Sequence, residues 1–214
     1  MTNIHVLSRC SKVPTQERGE RRVANLLGAA EQLFATTGYE ATTMVGIAQL
    51  ADASIGSLYQ FFPNKESIGS ALLLEYSNEL SDQLDSWKAN LPSTPREFGQ
   101  DLITTVFDYV SRRPACRVLT EIPSMPNADG LERLWASVQG VLSTFAPGRN
   151  DAELSAIALA ASLMARATLQ ASRMVDSKRS ASMLREMQRA LGCYLEERLG
   201  PGAPSTRASV KKRR

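Results

Sequence analysis

Histidine is almost absent from this sequence: His5 is the single imidazole in 214 residues. The usual general base and the commonest metal ligand are therefore missing. No nucleophile motif, phosphate loop or metal-ligand cluster takes their place. Carboxylates are spread along helical faces, and pairs such as Asp82/Asp85 and Glu196/Glu197 have no evident partner. The chain is not read as an enzyme, and neither a metal nor a cofactor is expected. Cysteine is scarce too. Cys10, Cys116 and Cys193 lie too far apart for a metal knuckle or a disulfide framework, which fits a reducing compartment. Long apolar runs are lacking as well. MTNIHVLSRCSK at the start has no continuous signal-peptide core. The most apolar run, LSAIALAASLMARATL at 154–169, is broken by Arg166 and falls short of the roughly 20 residues of a membrane span. A cytoplasmic protein without a membrane partner is expected.

There is also little excess charge where a nucleic-acid partner would want it. The net charge is +3, yet residues 1–70 hold six Lys/Arg against six Asp/Glu, and residues 71–200 hold 14 against 16. The surplus comes from five cations in PGAPSTRASVKKRR, a tail at 201–214 without apolar periodicity that is expected to be disordered. Its cations either add salt-sensitive attraction to DNA or are simply solvated. Any argument for DNA must rest on local arrangement.

What is present is helical periodicity. After a flexible segment at 1–15, Val23, Leu26, Leu27, Ala30, Leu33 and Phe34 form one apolar stripe, with Gly38 suited to end it. TTMVGIAQLA (42–51) starts with a threonine suited to N-capping, and Ser54 suits the cap of a third, short helix to about Gln60. Ile68, Leu72, Tyr76, Leu80 and Leu84 recur every fourth residue in a long fourth helix that runs until LPSTP (91–95). Further helices carry Phe98 to Val110, a short segment from Pro114, Leu131 to Phe145, and residues 151–174 and 180–199. No strand-like alternation survives inspection, so the fold class is all-α. The helix at 151–174 is alanine-rich and apolar on nearly every side, so it must be covered on nearly every side. A four-helix interface of 151–174 and 180–199 in a two-fold homodimer meets that need; central burial within one subunit is the alternative.

The segment SIGSLYQFFPNKES, 54–67, follows a helix and a tight turn. That order is a helix-turn-helix, whose second helix offers its N-terminal residues to base edges. Ser54, Gly56 and Ser57 are small or polar, as that requires, while Leu58 is free to face Ile47. Gly56 costs about 1 kcal/mol against alanine within a helix; close approach to DNA, or a helix end, accounts for it. Lys65 sits in the first turn of a helix, where only an outside anion, such as a phosphate, or the neighbouring Glu66 offsets the dipole. Tyr59 combines a packing ring with a hydroxyl that reaches a phosphate. Phe61 and Phe62 are expected to lock the short helix against its neighbours.

Residues 23–68 resemble the DNA-binding domain of the tetracycline-repressor (TetR) family. The features that carry the resemblance are AAxxLF, GY then TT, IAxxA, SxGSLYxFF and NKE, in that order. It implies an N-terminal three-helix domain at 16–66, with the helix-turn-helix at about 42–61, then a helical ligand-binding and dimerisation domain at 67–200. It further implies a dimeric regulator, usually a repressor, of a palindromic double-stranded operator, released by a small-molecule effector. On this sequence Thr43 would touch the phosphate backbone, Ser54, Ile55, Gly56 and Ser57 would face the major groove, and Tyr59 and Lys65 would hold phosphates. Asp52 stands in the turn where many family members have glycine. Phe107, Met125, Trp135 and Met164 are candidate effector-lining residues, although aromatic and methionine stripes also serve as core. Cys116, amid Arg112, Arg113 and Arg117, is a candidate thiol sensor or a small buried hydrophobe. A helical adaptor that keeps the fold without sequence-specific DNA binding is the alternative function.

Overall fold

The structure, a computed structural model, describes residues 12–122, 125, 127–172 and 176–201. Its regular elements are α1 (Lys12–Thr36), α2 (Met44–Leu50), α3 (Ile55–Phe61), α4 (Lys65–Ser86), a 3-10 turn (Trp87–Ala89), α5 (Pro95–Ser111), α6 (Pro114–Leu119), α7 (Ala128–Phe145), α8 (Asp151–Ser172) and α9 (Ser177–Leu199). No strand occurs among the described residues, so the all-α expectation holds. α1 starts at Lys12, inside the segment expected to be flexible; residues 1–11 and most of the basic tail, 202–214, lie outside the described residues. α9 starts at Ser177 rather than 180 because the Asp176 carboxylate caps it, accepting from Arg179 N–H.

The chain divides into two compact units. The first runs to Leu73 and takes in Arg113–Pro126; the second comprises Leu74–Arg112 and the chain from Asn127. α4 therefore contributes to both, and the 113–126 segment groups with the N-terminal helices rather than with the remainder of 67–200. Its apolar residues explain why. Ala115, Cys116 and Leu119 of α6 are buried in the first unit, where α6 packs on α1. Gly69 of α4 is covered closely by Leu119 and Met125. Around them the first unit buries Leu26, Ala30 and Phe34 of α1, Ile47 of α2, Leu58 of α3, and Ile68 and Leu72 of α4. Full burial of each large apolar side chain stabilises the fold by about 1.5–3 kcal/mol.

In the second unit, Leu84, Phe98, Leu102, Ile103, Val138, Val141, Leu142, Ile157, Leu191 and Leu195 make one core. Phe98 is met edge-on by Trp87 at 5.7 Å. α5 and α9 cross at two glycines. A Cβ on Gly99 would lie 3.0 Å from the backbone of Gly192, and one on Gly192 would lie 2.9 Å from the Arg96 carbonyl oxygen, so the backbones themselves touch. Near the core edge, Arg149 Nη1 and Arg198 Nη2 meet Glu153 Oε1 at 2.8 and 3.2 Å. Burial pushes the Glu153 carboxyl up, but the two guanidinium groups outweigh it and hold it below the usual carboxylate range.

α8 corrects one expectation. The helix continues past 154–169 at both ends, so Asp151–Ala171 is long and apolar enough to cross a membrane by length and composition. Its Leu154, Ile157, Ala158, Ala161 and Ala165 nevertheless pack into the core of the second unit, and a core helix passes the same test. Leu159 and Leu163, one turn apart, are 42% and 54% exposed.

Candidate nucleic-acid interface

The helix-turn-helix is held by short polar side chains. Thr43 Oγ1 accepts from Gly46 N–H at 3.1 Å and starts α2. Ser54 Oγ accepts from Ser57 N–H at 3.1 Å and starts α3. Between them α2 ends in a Schellman turn: Ala53 N–H bonds Ala48 O at 2.9 Å and Asp52 N–H bonds Gln49 O at 3.2 Å. This closure needs a left-handed residue at its centre, and Asp52 supplies it with φ +49°, a conformation its short polar side chain tolerates better than most. Arg22 Nη1 donates to the Asp52 carbonyl at 3.3 Å, tying the turn to α1.

α3 buries one side chain fully, Leu58. That anchor leaves Ser54, Ile55, Gly56, Tyr59 and Gln60 exposed, with Ser57 half-buried. Ile55 is 40% and Tyr59 53% exposed, which is much apolar surface for a seven-residue helix. A Cβ on Gly56 would meet nothing within 4 Å, and the residue has no positive φ, so neither packing nor backbone geometry within the unit calls for glycine there. Phe61, expected to lock α3, is 40% exposed; Phe62, at 8%, is the buried one of the pair. Gln60 was not singled out from the sequence, although its place beside Tyr59 puts it on the same outward face.

Lys65 departs from the expected phosphate contact. Its ammonium donates to the carbonyl oxygens of Tyr39 at 2.6 Å, Thr42 at 3.0 Å and Glu40 at 3.2 Å, and lies 4.3 Å from the centre of the Tyr39 ring. An ammonium has three N–H donors, and all three point inward. Burial, followed by the charges of Glu66 and Glu40, pushes the Tyr39 hydroxyl up. The α1–α2 turn thus supplies the negative partner that the sequence reading sought in DNA.

The residues expected to line an effector pocket are divided between the two units. Met125 belongs to the first unit, where Ser70 Oγ donates to its Sδ at 3.8 Å. Trp135 and Met164 pack against the core of the second unit, and the indole N–H of Trp135 donates to Ser155 O at 2.9 Å. Phe107 is half-buried on α5. A surface groove of about 250 Å³ lies at Trp87, Asn90, Leu91, Pro92, Asp101, Thr104 and Thr105, and none of the four lines it. Trp135→Phe is expected to cost about 1 kcal/mol, one hydrogen bond, in chemical denaturation. Cys116 is 4% exposed, so it lacks the solvent access a sensor thiol requires. Cys193 is the exposed thiol among the described residues, and its Sγ accepts from Arg96 Nη1 at 3.2 Å.

Comparison with known proteins places this geometry. Residues 26–72 match the sequence profile of the bacterial regulatory proteins, tetR family. The HTH-type transcriptional repressor KstR of Mycolicibacterium smegmatis is 40% identical over 65 residues, which cover 30% of this chain and 31% of that protein. The chain thus spans about a third of that relative's length, and less than half in the other leading matches. A TetR-family transcriptional regulator from Streptomyces coelicolor superposes with a TM-score of 0.68 at 22% identity, covering 84% of this chain and 98% of that one. The regulator FadR of Bacillus subtilis, solved in complex with stearoyl-CoA, does so at 0.57 and 17%, covering 84% and 98%. At those identities the superpositions bear on fold alone. The matched segment contains the whole helix-turn-helix just described, and residues 26–72 are similar to the helix-turn-helix segment of the tetR family of bacterial regulatory proteins.

Proposed function

We propose that the protein is a transcriptional repressor that binds a palindromic operator as a homodimer in the cytoplasm and is released by a small-molecule effector. The outward face of α3 carries this reading. Ile55, Gly56 and Tyr59 are exposed at the end of a capped, left-handed turn, and nothing within the unit accounts for the glycine. In this reading Ser54, Ile55, Gly56 and Ser57 face the major groove, with Ile55 against a thymine methyl. Thr43 and Tyr59 hold backbone phosphates. Lys65 acts from inside, by fixing the turn before α2.

The exposed Leu159 and Leu163 of α8 support a two-fold contact made with α9, since apolar residues one turn apart on a helix form a continuous patch. Such a dimer spaces its recognition helices for half-sites about 34–36 Å apart. An effector releases DNA only by binding one dimer arrangement better than the other. The repressor named among the relatives supports the repressor part of this reading.

Selection of bound duplexes from a random library, with ligand-stripped protein, tests the proposal. Wild type is expected to enrich a palindrome. Tyr59→Ala weakens binding evenly across sequences, while Ile55→Ala relaxes preference at one base pair per half-site. A folded, dimeric protein that enriches nothing would favour the helical adaptor.

A further inference from the structure

Two rows of side chains run along the outward side of α3. Residues four apart on a helix lie one above the other, so Tyr59 stands over Ile55 and Gln60 over Gly56. The first row is large and apolar, while the second is an amide and a glycine. All of these residues are exposed. A helical side chain leans toward the N-terminus and covers the turn before its own Cα. The Gln60 side chain is thereby carried across Gly56, where even a methyl group would meet nothing within 4 Å. Its amide arrives over the stretch of α3 that a helix-turn-helix offers to base edges.

That amide is unused within the protein. Elsewhere in the chain Gln139 Nε2 donates to Asp151 at 2.7 Å and Gln188 Nε2 to Thr104 at 2.8 Å. Gln60 makes no such bond among the described residues, so its carbonyl and both amide hydrogens are open to a partner. Charge narrows what that partner is. From Ala53 to Asn64 no side chain carries a charge. α3 therefore has neither the arginine or lysine that grips guanine through O6 and N7, nor the carboxylate that accepts from the amino group of cytosine. Glutamine is the complement of adenine: its carbonyl accepts from N6–H and its amide N–H donates to N7. Ile55, on the neighbouring row, suits a thymine methyl. Both rows ask for A·T pairs.

We propose that Gln60 is a base-reading residue that selects adenine in each half-site through paired hydrogen bonds to N6 and N7. Gly56 is what lets the amide pass to the floor of the groove. The inference rests on the regulator reading above and adds to it the base that α3 selects.

Full-length, ligand-stripped wild type, Gln60→Ala and Gln60→Arg are each used to select duplexes from a random library. Binding to the wild-type palindrome is then measured with 7-deazaadenine, which lacks the N7 acceptor, at each adenine in turn. Wild type is expected to require adenine at one position of each half-site. Gln60→Ala loses that preference and binds the palindrome roughly tenfold to a hundredfold more weakly, with preferences elsewhere kept. Gln60→Arg moves the preference to guanine. 7-Deazaadenine at that position weakens wild type and leaves Gln60→Ala unchanged. The side chain is exposed, so the three proteins are expected to melt together. An adenine preference that survives Gln60→Ala overturns the proposal. So does a loss of affinity spread evenly over all sequences, the mark of a phosphate contact. In both of those cases wild type still enriches a palindrome, and the regulator reading stands. Wild type that enriches nothing overturns that reading and this inference with it.

Discussion

Lys65→Met is expected to destabilise the folded protein by about 2–4 kcal/mol in chemical denaturation, the range for losing several hydrogen bonds to a charged group. Methionine keeps the length and apolar stem of the side chain, so the change isolates the ammonium. Without it the carbonyl oxygens of Tyr39, Glu40 and Thr42 lose their shared donor. These carbonyls turn inward just before Thr43, the cap of α2, so operator affinity falls as well. The manner of the fall separates the two roles open to this lysine. Each phosphate contact removed lowers the slope of log K against log salt by about 0.9. An internal cation leaves the slope unchanged and weakens binding equally at every salt concentration. Measured below the melting range of the variant, an unchanged slope supports the inward role, and a reduced one returns Lys65 to the DNA.

Lys65 also shows where the sequence stops being legible. A lysine in the first turn of a helix must find a negative partner, and that much is local. The partner lies 23 to 26 residues away, and no spacing rule connects them. Helix starts were readable at Thr43, Ser54 and Pro114, which stand where their type predicted, while the side-chain caps Thr94 of α5 and Asp176 of α9 were not singled out. The start of α1 was not, because residues 12–16 carry no apolar stripe. The second half of the chain was harder for a physical reason. Trp135 and Met164 have the same periodicity whether they line a pocket or fill a core, and only packing distinguishes the two. Conversely, Ser77 looks in sequence like part of a solvated helix face, yet it is buried where Gly130, more than fifty residues further on, lets α7 approach it.

Gly56→Ala is expected to separate folding from function more sharply than any other single change. A methyl at this position meets open space, and the helical backbone around it suits alanine, so stability rises by roughly 0.5–1 kcal/mol. If α3 docks through this face, the same methyl stands between the helix and the floor of the groove. Overpacking a close contact costs about 1–3 kcal/mol, so operator affinity falls roughly tenfold to a hundredfold. Unlike Lys65→Met, the variant melts higher than wild type, so the loss of binding has no unfolding to explain it. Ile55→Ala on the same face provides the contrast. It removes a contact rather than adding one, and its effect is confined to one base pair of each half-site. Equal operator affinity in Gly56→Ala and wild type, with the gain in Tm present, would mean that α3 approaches DNA by another face. The glycine would then be a tolerated weakness in a short helix, and Ser54, Ile55 and Ser57 would lose their assigned places in the groove.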